Sequence, residues 1–264
     1  MMRNFKLLGS DFVASIVQWR FWFALGWNDI AKQYRRSFLG PLWISLNTGF
    51  FVVAFGLVGA QLFKVDLATY LPYFAVGHVF FGFFSLVMNE ACQAFVQAEG
   101  YLKHAASPKL IHVFRGVLRN LLALAHNFLI LAAVLAWSGG LAKLKFFYFI
   151  LALALCAVAA FLAMGIVATI CTRFRDVPMI ISSVMQVMFF LTPVMWRPDQ
   201  LTERAQWLVT INPFALFLDL ARKPLLGETP PVGSYVDALM VVALLLLIFV
   251  PIMAWARGKL VYWI

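Results

Sequence analysis

Marking every Asp, Glu, Lys and Arg along the chain leaves six long uncharged stretches, residues 37–63, 67–89, 120–142, 146–172, 177–196 and 238–256. They run for 27, 23, 23, 27, 20 and 19 residues. At about 1.5 Å per residue, each can cross a hydrocarbon core of about 30 Å as a helix, a conformation that satisfies its own backbone N–H and C=O groups without water. The pattern predicts an all-α, polytopic membrane protein with six transmembrane helices. Six crossings put both termini on one side.

A different period governs the residues before the first stretch. Phe12, Ile16, Trp19, Phe23, Trp27, Ile30 and Tyr34 recur at steps of three or four, with Asp11, Gln18, Asp29, Lys32 and Arg36 roughly opposite. This predicts an N-terminal amphipathic helix lying in the cytoplasmic interface. Phe21 and Trp22 interrupt its polar face, which suits docking on protein. A further uncharged run, Ala205–Leu218, is too short to cross and is broken by Asn212-Pro213; it predicts a re-entrant external helix before the last span. The organisation is a single permease domain over 1–264: an amphipathic segment 1–36, a six-span region 37–256 and a cytoplasmic tail 257–264.

Composition agrees with a lipid solvent: 64% of residues are hydrophobic, 12% are charged and the mean hydropathy is +0.89. A net charge of +10 would suit nucleic acid only on a soluble fold with a basic face, so no nucleic-acid partner is expected. The charge follows topology instead. Of 21 Lys and Arg, 14 fall on the side holding the termini, the 90–119 loop and the 173–176 turn, and 7 on the other, which predicts cytoplasmic termini. The first 36 residues carry eight charges and no uncharged run in them is longer than the eight residues of Phe21–Asn28, so no cleavable leader is expected. Cys92, Cys156 and Cys171 have no metal or disulfide spacing and read as packing residues.

Catalytic chemistry leaves no signature. There is no HExxH, no GxSxG and no close carboxylate pair within the stretches, and His78 and His126 stand alone, as packing histidines do. Without GxxxxGK(S/T), any ATP that drives the protein binds a separate subunit. No metal or cofactor site is expected on this chain. What the stretches do carry is aromatic surface, in a chain with 27 Phe, 7 Tyr and 9 Trp, which suits the apolar C–H faces of sugar rings as well as packing against lipid.

Three short segments in order are more specific: Arg36-Ser37-Phe38-Leu39-Gly40-Pro41-Leu42-Trp43 before the first stretch, Arg173-Phe174-Arg175-Asp176 between the fourth and fifth, and Thr192-Pro193-Val194-Met195-Trp196 ending the fifth. With the six-span order and Asn212-Pro213, they resemble the membrane subunits of type-two ABC exporters that move O-antigen, capsule and teichoic-acid polymers. Each segment also has a structural reading: Gly40-Pro41 turns an interfacial helix into a transmembrane one, and Arg173, Arg175 and Asp176 make a structural turn with a local ion pair.

The resemblance implies a homodimer in the bacterial inner membrane with two cytoplasmic ATP-binding subunits carrying ATP and Mg, exporting a polyprenyl-diphosphate-linked polysaccharide. It implies that the cytoplasmic loop at about Gln97–Arg115 contacts the ATPase, with Glu99, Gly100, Tyr101, Lys103 and His104 as coupling candidates. External gate helices correspond to Arg197–Lys223. Arg35, Arg36, Leu39 and Gly40 are candidates for the lipid-diphosphate entrance, and Phe50, Phe51, Phe189, Phe190 and Trp196 for the glycan pathway through the first and fifth spans. The competing functions are a drug or small-lipid exporter, a membrane enzyme acting on lipid-linked sugars, and a structural anchor; product formed without an ATPase would mark the enzyme.

Overall fold

The computed structural model describes residues 2–104 and 107–264, which form helices joined by turns with no strand among them. Five helices are long and apolar enough to span a bilayer: α3 (Leu42–Leu62), α4 (Leu67–Ala91), α6 (Leu110–Trp137), α7 (Phe146–Arg173) and α11 (Val232–Ala256). Before α3 lie α1 (Met2–Val17) and α2 (Trp19–Gln33); between α4 and α6 lies the short α5 (Glu99–His104). The remaining helices are α8 (Val177–Leu191), α9 (Trp207–Thr210), α10 (Pro213–Leu225) and α12 (Leu260–Trp263). The protein is a multi-pass membrane protein.

Helix α4 is the centre of the bundle. Tyr70, Phe74, Val76, Val79, Phe80, Phe83 and Val87 point to successive sides of it and are all buried, because α3, α6, α7, α8 and α10 pack around it. Helix α7 meets α4, α6, α10 and α11 through small residues, including Ala152, Cys156, Ala159, Ala160 and Ala168, that let backbones approach closely. All three cysteines are buried free thiols.

Three element boundaries depart from the uncharged stretches. Helix α6 begins at Leu110, ten residues before the third stretch, because Arg115 and Arg119 enter it with carboxylate partners on α2 and α4. Helix α11 begins at Val232 and takes in Asp237. Helix α8 is an apolar helix of 15 residues, about 22 Å, and ends at Leu191 where the fifth stretch runs to 196. Its end has a local cause: Thr192 precedes Pro193 and is extended (φ −90°, ψ 138°), the conformation that a following proline favours.

The N-terminal segment also departs from expectation, being two helices broken at Gln18 and not one over Phe12–Tyr34. Trp22 Nε1 donates to the Ser15 carbonyl (3.0 Å) across the break, and its ring stacks on Phe114 of α6 at 5.3 Å. Trp19, Phe23 and Trp27 of the aromatic face are exposed, but Ile30 is buried and Phe12 packs on Phe114 and Phe161; of the face read as polar, Asp11 and Asp29 are covered by the bundle, while Gln18, Lys32 and Arg36 are exposed. Gly40 (φ 56°) and Pro41 then turn the chain into α3, with the Gly40 N–H donating to Ser37 Oγ at 3.2 Å.

Candidate translocation and coupling site

The end of the bundle carrying α1, α2 and α5 is held by ion pairs. Asp29 of α2 receives a two-pronged bond from Arg115, 2.6 Å from Nε and 2.7 Å from Nη2, and Arg119 donates to Glu90 Oε2 at 2.7 Å from Nη2. Arg119 also lies 3.7 Å from Asp29, so α2, α4 and α6 share one network. Asp11 is buried and accepts the Lys109 backbone N–H (3.0 Å), an N-terminal donor of α6 that no intrahelical carbonyl satisfies, and faces Arg257 at 3.5 Å. Desolvation holds the Lys109 amine below its ordinary range; Arg257 adds to this and Asp11 opposes it.

Helix α5 sits within this frame. Tyr101 meets Phe21 edge-on at 6.2 Å and His112 at 6.0 Å, and Leu102 is buried. Lys103 pairs with Glu99 at 2.7 Å on the exposed side, and this contact holds the Glu99 carboxyl below its usual range. Gly100 is exposed; the side chain of His104 lies outside the described residues. Arg35 and Arg36 are exposed on the turn after α2, where Arg36 takes φ 72°, and Leu39 and Gly40 are half-buried beside them. The 173–176 turn differs from expectation: among the described residues no ion pair joins Arg173 or Arg175 to Asp176, and Arg173 lies over the rings of Phe174 (5.6 Å) and Trp263 (5.7 Å) instead.

At midbundle, the aromatic candidates of α3 and α8 fall around a histidine of α4. Phe51 stacks on His78 at 4.5 Å, and Phe189 meets His78 edge-on at 6.5 Å and Phe81 at 5.4 Å. Phe50 and Phe190 are exposed, at 70% and 65%. Between α4 and α8 runs an open groove of about 640 Å³, where His78, Ser85, Asn89, Ser182 and Gln186 alternate with Phe81, Phe189 and Phe190. No carboxylate, lysine or arginine lines it.

The opposite end is closed by a knot of hydrogen bonds to backbone carbonyls. Asn212 caps α10, its Oδ1 accepting from the N–H groups of Phe214 (2.9 Å) and Ala215 (3.3 Å), while its Nδ2 donates to Thr192 Oγ1 at 2.9 Å. Arg222, 4% exposed, donates from Nη2 to the Pro193 carbonyl (2.8 Å) and lies 3.8 Å over the Tyr73 ring. Tyr73 donates to the Trp196 carbonyl (3.0 Å), Tyr70 donates to that of Met195 (3.0 Å), and Trp196 Nε1 donates to Phe190 O (2.9 Å). The guanidinium fits because residue 77 is glycine; a methyl group there would collide with Arg222 Nη2 and the Val194 carbonyl. Sequence reasoning missed Arg222, Tyr70 and Tyr73, whose partners are carbonyls more than twenty residues away, and set aside His78 as isolated.

The family model for the ABC-2 type transporter matches residues 20–226, a range that holds all but the first residue of α2 and everything from there through α10. The chain belongs to the ABC-2 type transporter family. Two curated relatives of this permease, both described as O-antigen export system permease protein RfbA from Klebsiella pneumoniae, are 22% identical to it over 188 residues, covering 71% of this chain and 73% of theirs. A member of the ABC-2 family is a transport subunit. In this permease the matched range ends just beyond Arg222, so the carbonyl knot lies within the shared part of the chain.

Proposed function

We propose that this permease is the membrane subunit of an ATP-driven exporter of a polyprenyl-diphosphate-linked polysaccharide of the O-antigen or capsule class. It acts as a homodimer in the bacterial inner membrane with two cytoplasmic ATP-binding subunits, which carry ATP and Mg. The observation that carries the reading is the groove between α4 and α8. A glycan presents hydroxyls and apolar ring faces, and the groove offers amides and hydroxyls alternating with aromatic rings but no fixed charge to trap the polymer. The similarity to O-antigen permeases supports the same substrate class.

In this reading α8 crosses with the segment that follows it, giving six spans, and α9 and α10 form a re-entrant pair at the external face. The basic end, with both termini, is cytoplasmic. Arg35 and Arg36, with Leu39 and Gly40, attract the lipid diphosphate, while Glu99 to His104 transmit the ATPase movement. Residues 197–223 gate the outer end, and Phe50, Phe51, Phe189, Phe190 and Trp196 border the path. The whole of 1–264 works as one permease domain. The second protomer covers α3 and α8, where Leu57, Val58, Met179, Val187 and Phe190 are open.

The test is uptake of a radiolabelled lipid-linked glycan by proteoliposomes holding the permease with its ATP-binding subunit. ATP-dependent accumulation of full-length glycan is expected. Accumulation of hydrophobic drugs with no glycan uptake overturns the reading.

A further inference from the structure

A cavity of about 520 Å³ lies at the basic end between α2, α3, α4 and α6, with Tyr34 and Trp43 in its wall and the Arg35-Arg36 turn next along the chain. The α4–α8 groove, about 640 Å³, lies farther along α4. One residue is common to the two walls among the described residues, Gly82 of α4. It stands in a row with His78, Ser85 and Asn89 of the groove, at steps of four, three and four, so the four share one face of the helix.

The course of α3 explains why the two spaces meet at this residue. Toward its C-terminus α3 lies against α4: Phe51 stacks on His78, and Gly56 and Gly59 sit beside Leu71 and Tyr70. Toward its N-terminus Trp43, Ile44, Asn47 and Thr48 border the cavity instead. Gly82 lies one turn from His78 in that direction and is exposed. Glycine is a poor helix former, because it gives up more backbone freedom on folding than any other residue. Inside a membrane helix its common use is to let a neighbour pack too closely for a side chain. That use accounts for three glycines nearby, since a methyl group at Gly56, Gly59 or Gly77 would collide with Leu71, Tyr70 or Arg222. It does not account for Gly82, where a methyl group meets no atom within 4 Å and the backbone is not at positive φ.

We propose that Gly82 is the point at which the glycan crosses from the cavity at the basic end into the α4–α8 groove, and that its lack of a side chain sets the width of the crossing. The proposal rests on the export reading and adds to it a residue that limits passage. A polymer that slides past α4 needs the same clearance for every sugar unit, so side-chain volume at this point narrows the way for all of them. Packing within the subunit does not use that volume, so passage can be altered without altering the fold.

The experiment adds bulk after folding and assembly. Gly82→Cys is compared with Gly233→Cys, an equally open position on α11 that borders neither space. The chain's own cysteines are buried, and the unaltered complex serves as the control for reagent. Each permease, in proteoliposomes with its ATP-binding subunit, is treated with methyl or benzyl methanethiosulfonate, and ATP-driven uptake of a radiolabelled lipid-linked glycan is measured. Gly82→Cys and its methyl adduct are expected to export within about twofold of the unaltered complex, and the benzyl adduct about tenfold less or lower, with recovery when a reductant removes the benzyl group. Neither adduct at position 233 should change export. Gly82→Trp carries the bulk without reagent and should show the same loss with unchanged dimer mass and Tm. Undiminished uptake with the benzyl group in place, equal losses with methyl and benzyl, or a thiol at position 82 that does not react overturns the crossing and leaves export standing. Loss of the dimer in Gly82→Cys makes this a packing glycine between protomers and overturns the crossing as well. Absence of ATP-driven uptake by the unaltered complex overturns the export reading together with it.

Discussion

The ring of Phe51 stacks on the imidazole of His78, 4.5 Å between centroids and 19° from parallel, and Phe189 meets the same imidazole edge-on at 6.5 Å. Helices α3, α4 and α8 are thereby joined at one residue, on the side of the bundle that α7, α10 and α11 leave open. Aromatic pairs of this geometry contribute about 0.5–1.5 kcal/mol beyond the area they bury. Phe51→Ala and Phe189→Ala should each lower thermal stability in detergent. A double-mutant cycle of either with His78→Ala should show a coupling of about 0.5–1.5 kcal/mol. Phe50→Ala, on the open face, should leave the Tm of the isolated subunit unchanged. Additivity within about 0.3 kcal/mol would mean that His78 does not join the helices.

Arg222 holds the chain that follows α8 through carbonyls and a ring, with no carboxylate within 4.0 Å among the described residues. Arg222→Met removes donors from buried carbonyls and should cost about 3 kcal/mol. Lysine lacks the planar fork and the stacking face, so Arg222→Lys should recover little. Limited proteolysis across Pro198–Ala205 should quicken in both variants, and in Gly77→Ala. Unchanged cleavage in all three contradicts the latch.

The fixing of α2 to α6 depends on Asp29 and Arg115, 15% and 17% exposed at their side chains. Removing one partner strands the other in a poorly hydrated position, at a cost of about 2–3 kcal/mol. Arg115→Ala should therefore loosen α2, seen as faster hydrogen exchange over Trp19–Gln33, and should lower glycan exported per ATP more than it lowers ATP hydrolysis. Equal losses of export and hydrolysis would make the pair a structural contact only.

The proposed orientation rests on the charge partition and is checked by labelling single cysteines with an impermeant reagent. Cysteines at Ala68 and Glu203 should label from outside intact cells, and one at Lys103 only after the membrane is opened. The reverse pattern would invert the topology.

Most of the fold is legible in the sequence because lipid imposes a rule that local composition can follow: long uncharged stretches become helices. The rule fails where a charge finds a distant partner. Arg115 and Arg119 look like loop residues until Asp29 and Glu90 come beside them, and only then can α6 begin at Leu110. The early end of α8 was readable from Thr192-Pro193, a local signal that the count of uncharged residues overrode. Arg222 was not readable, since nothing in a sequence says that an arginine will bond backbone carbonyls beneath a tyrosine. The aromatic candidates of the first and fifth spans could be named, but which rings face His78 and which face outward is set by helix rotation, which one sequence does not fix.

The central claim is that glycan passes along the α4–α8 groove, and the most direct measurement is site-specific photocrosslinking during ATP-driven export. A photoreactive residue at Gln186, in the groove, is compared with one at Leu247, exposed on α11. The account predicts ATP-dependent adducts of radiolabelled glycan at residue 186 and only lipid adducts at residue 247. Glycan adducts at 247 but not at 186, or none at 186 while export proceeds, would contradict it.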